Sequence, residues 1–173
     1  MPKLLNVIVA CAENRVIGQD GHTPWRIAED VRFFSSQTAG QVVVLGRVCF
    51  ETWPGAVNDG RHPVVITRNR NLARPGVAVA GSLTEALVIA ESLPGDLYIC
   101  GGQRIYEETL ALARPMRLWL TLIHAEVPGD RYFPEWRHLA WREIHRRDSE
   151  DTNYRFTFLT LDRLEEKRSR DRE

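Results

Sequence analysis

The sequence is short of cysteine: Cys11, Cys49 and Cys100 are its three, widely separated and odd in number. They fit neither a disulfide framework nor a zinc site, and they suit a reducing compartment. An excess of one charge is also missing. Lys plus Arg and Asp plus Glu number 23 each, so no global field points to nucleic acid or to an anionic membrane surface. The apolar run inside MPKLLNVIVACAENR is too short for a membrane span and lacks the small-residue cleavage pattern of a signal peptide. The expectation is a cytoplasmic protein with no nucleic-acid or membrane partner. His22, His62, His124, His138 and His145 are scattered without ligand spacing, so no metal site is expected. No G-x-S-x-G elbow and no GxxxxGK[ST] phosphate loop occurs. Cys49 and Cys100, beside aliphatic runs, read as core packing rather than as nucleophiles.

What is present reads as one α/β domain over residues 1–162, followed by a charge-dense, aperiodic tail over residues 163–173. Nearly continuous apolar runs at Leu4–Ala12, Gln41–Leu45 and His62–Thr67 suggest strands buried on both faces. Shorter strands are expected at Val77–Ala80, Asp96–Cys100 and Arg117–His124, with a closing antiparallel pair at Trp141–His145 and Tyr154–Leu161. Helices are expected from after Pro24-Trp25, with Asp30 in the first turn, to about Thr38, from Gly46-Arg47 to about Trp53, from a Ser82–Glu85 capping box to about Ser92, and after Gly101-Gly102 to about Ala113. Strands alternating with helices imply right-handed βαβ units and a mostly parallel sheet, whose ligands bind beyond the carboxyl ends of the strands. The Gly-rich segment Glu13–Arg26 is long for a connection and reads as a binding loop or lid.

Three strand ends carry chemistry. Gly46-Arg47, Thr67-Arg68 and Gly101-Gly102 each follow a strand, with Arg104 shortly after the last. Glycines between strand and helix let a phosphate approach backbone N–H groups, although Gly-Gly alone also reads as a tight turn. Arg47, Arg68 and Arg104 on one rim would make a phosphate-monoester site, favouring a nucleotide such as NADP over one without the extra phosphate. Asp30 has two readings. With Glu29 it complements the amino end of its helix, or it is a lone carboxylate lining a pocket, since Ile27, Val31 and Phe34 share its face.

The ordered set NRVIG (14–18), PW (24–25), ED followed by Phe34, LGR (45–47), GR (60–61), GG with RIYE (101–107) and T-x-I-x-A-E-V-x-G-D (121–130) closely resembles the dihydrofolate reductases over about residues 4–160. The resemblance implies a three-layer fold with an eight-stranded, mostly parallel mixed sheet, about four helices and an antiparallel C-terminal strand. It implies NADPH-dependent hydride transfer to C6 of 7,8-dihydrofolate with protonation at N5, giving tetrahydrofolate for one-carbon metabolism, in a monomer that antifolate inhibitors bind. By the same resemblance Asp30, Trp25 and Thr121 are catalytic: Asp30 holds the amidine edge of the pteridine, Thr121 bridges it to the ring, and Trp25 joins the network. Ile8, Val9, Val31 and Cys100 would contact the pteridine; Phe34, Trp53 and Val57 would sandwich the aminobenzoyl ring; Arg61 would take the glutamate α-carboxylate. Ala10, Ile17 and Gly18 would meet the nicotinamide end. Gly46, Gly101, Gly102, Gln103, Ile105 and Tyr106 would cradle the pyrophosphate, and Arg47, Val48, Cys49, Thr67, Arg68 and Arg104 would line the 2′-phosphate side. Residues 13–23 resemble a mobile lid latched by Gly129-Asp130. Cys49, Val48 and Trp53 depart from the residues most members carry there. Two other readings stay open: a pteridine- or pyrimidine-reducing relative such as the riboflavin-pathway reductase, and a non-catalytic nucleotide-binding protein.

Overall fold

The computed structural model describes residues 2–165, and in it the apolar runs become the centre of one twisted sheet. The elements in chain order are β1 (Leu5–Ala12), β2 (Val16–Gly18), α1 (Ala28–Thr38), β3 (Val42–Gly46), α2 (Arg47–Thr52), β4 (His62–Ile66), β5 (Ala78–Ala80), α3 (Leu83–Ser92), β6 (Leu97–Ile99), α4 (Gln103–Leu110), β7 (Met116–Ile123), β8 (Arg131–Tyr132), β9 (Trp141–Glu150) and β10 (Arg155–Arg163). Eight strands join in the order β5-β4-β3-β6-β1-β7-β10-β9. Pairing is parallel from β5 through β7, and β10 runs antiparallel to both its neighbours. This is the mostly parallel α/β fold with four helices that the sequence suggests.

Side-chain alternation explains the three layers. Val42 and Val44 of β3 pack with Leu97, Ala86, Ala90 and Leu110 on the face covered by α3 and α4. Val43 and Leu45 of the same strand turn the other way, toward Phe50 of α2 and Phe33 and Phe34 of α1. Both faces are buried, which is why these strands read as continuous apolar runs.

Four details differ from the expectations. Glu85 does not close a reciprocal box with Ser82: the Ser82 hydroxyl accepts from the Glu85 N–H at 3.1 Å, but the Glu85 carboxylate takes the Gly81 N–H at 2.6 Å. Strand β9 continues to Glu150 rather than ending at His145. It is an edge strand of mostly exposed, charged residues, so no apolar alternation marks its length. Within the segment expected to be a loop, β2 pairs antiparallel with β8, a contact between chain positions more than a hundred residues apart. Of the expected tail, Arg163 closes β10, and residues 166–173 lie outside the described residues.

Candidate active site

A cleft of about 460 Å³ opens beyond the carboxyl ends of the central strands. Its walls come from β1 (Ile8, Val9, Ala10), Leu45, α1, Cys49, Thr52 and Trp53 of the α2 region, Cys100 to Gly102, Tyr106 and Thr121. Parallel register sets Ala10 opposite Thr121, so β1 and β7 deliver the floor together.

Asp30 is the one carboxylate among the described residues lining this cleft. Helix α1 begins at Ala28 with Ile27 as its cap and no side-chain cap bond, which puts Asp30 in the first turn. The Thr121 hydroxyl donates to Asp30 Oδ1 at 2.7 Å. Burial holds the Asp30 carboxyl above the usual aspartate value, the Thr121 bond pulls it down, and neighbouring Glu29 adds an upward push. Glu29 has the opposite surroundings. Ser149 Oγ and Arg147 donate to it at 2.6 and 2.7 Å, and these bonds, the Ser149 one foremost, hold its carboxyl below the usual range. The two acids at the start of α1 are therefore not equivalent. Glu29 ties the helix to β9, and Asp30 faces the cleft. Burial raises the Cys49 and Cys100 thiols and the Tyr106 hydroxyl, so these three stay neutral.

Trp25, Ile8, Val9, Val31, Phe34, Trp53 and Cys100 line the cleft together with Ala10, Ile17, Cys49, Gly101, Gly102 and Tyr106. Val31 is 57% exposed, so it forms the rim of the cleft. Ile27, expected on the face of Asp30, lines it too, and Arg26, Phe33, Leu45 and Thr52 also line it without having been singled out from the sequence. Leu45 falls within a run expected to be buried on both faces, and the signals that could have found the two apolar residues are the alternation along β3 for Leu45 and the helical period along α1 for Phe33.

Other expected residues lie away from the cleft wall. Val57 and Val48 are exposed. Gly18 is held in the lid by β8, and Gly46 donates its N–H to Gly101 C=O at 2.9 Å. Arg47, Arg68 and Gln103 to Ile105 follow the ends of the neighbouring strands β3, β4 and β6. Arg47 and Arg104 each pair with a glutamate on their own helix, Glu51 at 2.8 Å and Glu108 at 3.6 Å. Thr67 Oγ1 accepts the Asn69 N–H at 3.1 Å. Gln103 Oε1 accepts the Tyr132 N–H at 2.9 Å, joining α4 to the lid's partner strand. Arg61 is buried behind Trp53, with its guanidinium carbon 5.1 Å from the indole centroid.

The glycines at the strand ends make a cradle. Gly102 caps α4 without a side-chain bond, which leaves the first N–H groups of that helix uncapped beside the cleft. A Cβ on Gly46 would meet Ile105 at 3.4 Å, and one on Gly102 would meet Cys49 Sγ at 3.5 Å. Close backbone approach and free N–H donors fit a pyrophosphate.

The lid is latched through its backbone. Asp130 N–H donates to Gly18 C=O at 3.0 Å, and Asp20 N–H donates to Asp130 Oδ2 at 3.1 Å. A Cβ on Gly129 would lie 2.2 Å from Val16 Cγ1 and 2.7 Å from Gly18 O. Gly129→Ala is therefore expected to push β2 away and break the Asp130–Gly18 bond. Amide exchange at Asp130 should accelerate about tenfold or more, the loss of one such bond; unchanged exchange would refute the latch.

Comparison with known proteins gives one consistent answer. A dihydrofolate reductase family profile matches residues 4–163. The chain is 40% identical over 163 residues to the dihydrofolate reductase type 3 of Salmonella typhimurium, spanning 92% of this chain and 98% of that protein. It is 35% identical over 156 residues to a dihydrofolate reductase of Neisseria meningitidis serogroup A, spanning 88% and 94%. Among solved structures, the dihydrofolate reductase from Enterococcus faecalis complexed with NADP(H) and RAB-propyl is similar with a TM-score of 0.79 and 30% identity, covering 92% of this chain and 96% of that one.

Proposed function

Since the chain belongs to the dihydrofolate reductase family, we propose that Asp30 is the group on which its proton transfer depends, with Thr121 and Trp25 as its partners. The enzyme reduces 7,8-dihydrofolate to tetrahydrofolate with NADPH. The observation that carries the assignment is the 2.7 Å Thr121–Asp30 bond at the one carboxylate of the cleft lining among the described residues.

NADPH, when bound, supplies the hydride that adds to C6 of the pteridine. Asp30 accepts hydrogen bonds from the N3–H and 2-amino edge of the ring and so fixes which face meets the cofactor. Its raised pKa lets it favour the protonated pteridine, in which N5 carries the proton that the product retains. Thr121 holds the carboxylate in one orientation. Trp25, Ile8, Val9, Phe34 and Cys100 exclude water from the ring. The uncapped start of α4 with Gly46, Gly101 and Gly102 takes the pyrophosphate, and Arg47, Arg68 and Arg104 supply cations for the 2′-phosphate. Phe34, Trp53 and Val57 take the aminobenzoyl ring, and Arg61 is the cation for the glutamate α-carboxylate. The support for Arg61 is its charge beside Trp53, which itself packs tilted against Phe34 with ring centroids 4.8 Å apart. The residues through Arg163, which closes β10, act as one domain and as a monomer. Neutral overall charge supports the absence of a nucleic-acid or membrane-surface partner, and the free thiols support a cytoplasmic site of action.

Thr121→Val tests the assignment. Losing a hydrogen bond to a charged group should cost about tenfold or more in kcat/KM. That bond lowers the Asp30 pKa, so the fall in rate at alkaline pH should move to higher pH in the variant. A profile that stays in place would contradict it.

A further inference from the structure

Arg61 is almost completely enclosed, with its side chain 1% exposed. A guanidinium has five N–H groups, and the protein offers all of them acceptors. Nε donates to Thr38 Oγ1 at 3.0 Å. Nη2 donates to Ser35 O and Oγ at 2.7 and 3.2 Å. Nη1 donates to Gly55 O, Asn58 O and Asp59 Oδ2 at 2.9, 3.2 and 3.1 Å. The single anion in this set is Asp59, whose side chain is 63% exposed while its partner is sealed. A tight turn aims it. Asp59 and Gly60 have φ of 56° and 71°, the Asp59 carbonyl accepts the Gly40 N–H at 2.8 Å, and the Arg61 N–H returns to Asn58 C=O at 3.1 Å. On the cleft side the Trp53 indole lies over the guanidinium. Arg61 is not among the residues lining the cleft.

We propose that Asp59 is a built-in competitor for the substrate's tail: its carboxylate occupies the arginine N–H group that a glutamate α-carboxylate would take. This rests on the reading of Arg61 as the tail's cation. A carboxylate arriving from the cleft meets an arginine whose charge is matched and whose donors are engaged. It gains only by displacing Asp59, so the ion pair it forms is offset by the Arg61–Asp59 pair it breaks, and Asp59, being exposed, has room to move aside. Asp59 is thus a specificity-determining residue that levels the enzyme's preference between pteridines with and without the charged tail.

Asp59→Asn tests this directly. Asn tolerates the left-handed backbone of the turn and keeps a neutral acceptor beside Arg61, so shape is preserved and charge is removed. The readout is the ratio of KM for 7,8-dihydropteroate, which lacks the glutamate, to KM for 7,8-dihydrofolate. It should be near unity in the natural protein and rise about fivefold in the variant, the scale of a partly exposed ion pair. A general loosening of the fold would move both KM values together and leave the ratio unchanged. A ratio already large in the natural protein and unmoved by Asp59→Asn would overturn the role of Asp59 and leave Arg61 as the tail's cation. A ratio near unity in both proteins would overturn the Arg61 reading as well.

Discussion

Asp30→Asn is expected to lower turnover with dihydrofolate by roughly 10²–10⁴-fold, the range for removing a positioned general acid or base. The amide keeps the size of the side chain and can still accept from Thr121, so pteridine binding should suffer less than turnover. Stability should change in the opposite direction. Burial raises the Asp30 carboxyl above its ordinary value. Below that ordinary value both folded and unfolded chains hold the proton, and the group contributes nothing. Between the ordinary and the raised value the folded chain binds a proton that the unfolded chain has lost, so stability falls as pH rises. Above the raised value the full cost of a partly desolvated carboxylate is present. Asp30→Asn removes that cost. Its Tm should exceed that of the natural protein at neutral and alkaline pH, with the gap closing in acid. A variant that is both inactive and less stable at alkaline pH would refute the desolvated-carboxylate account.

Gly101→Ala should damage the cofactor side. Gly101 has φ of 115°, where a side chain is strained at about 1–3 kcal/mol. Its Cβ would lie 3.2 Å from Tyr106 Cε2. That ring cannot yield freely, because its hydroxyl donates to Ile8 C=O at 2.7 Å and its edge packs on Phe133 at 5.1 Å. The backbone must shift, and with it the Gly46–Gly101 bond that holds two sides of the cradle together. Denaturant unfolding should show a loss of about 1–3 kcal/mol. KM for NADPH should rise more than KM for dihydrofolate. Equal effects on the two would place the glycine outside the cofactor cradle.

The central strands were legible because burial on both faces leaves an apolar run, as in Val42 to Leu45. The same physics hid β9, whose exposed charges carry no periodicity, and the β2–β8 pair, which forms through long-range backbone bonds. Asp30 and Thr121 are 91 residues apart, and no local pattern joins them. Only the ordered set of motifs does. The occupied state of Arg61 was illegible for another reason. It depends on two positive-φ residues aiming Asp59 back at the next side chain but one, a geometry that GR at 60–61 does not announce.

The pH dependence of hydride transfer, followed as NADPH oxidation with dihydrofolate in the natural protein and in Asp30→Asn, tests the role of the half-buried carboxylate most directly. The natural protein should hold its rate until pH passes a raised carboxyl pKa. The variant should have no such plateau, its rate climbing with acidity as the pteridine becomes protonated in solution. The same profile in both proteins, whatever their absolute rates, would contradict the assignment of proton transfer to Asp30.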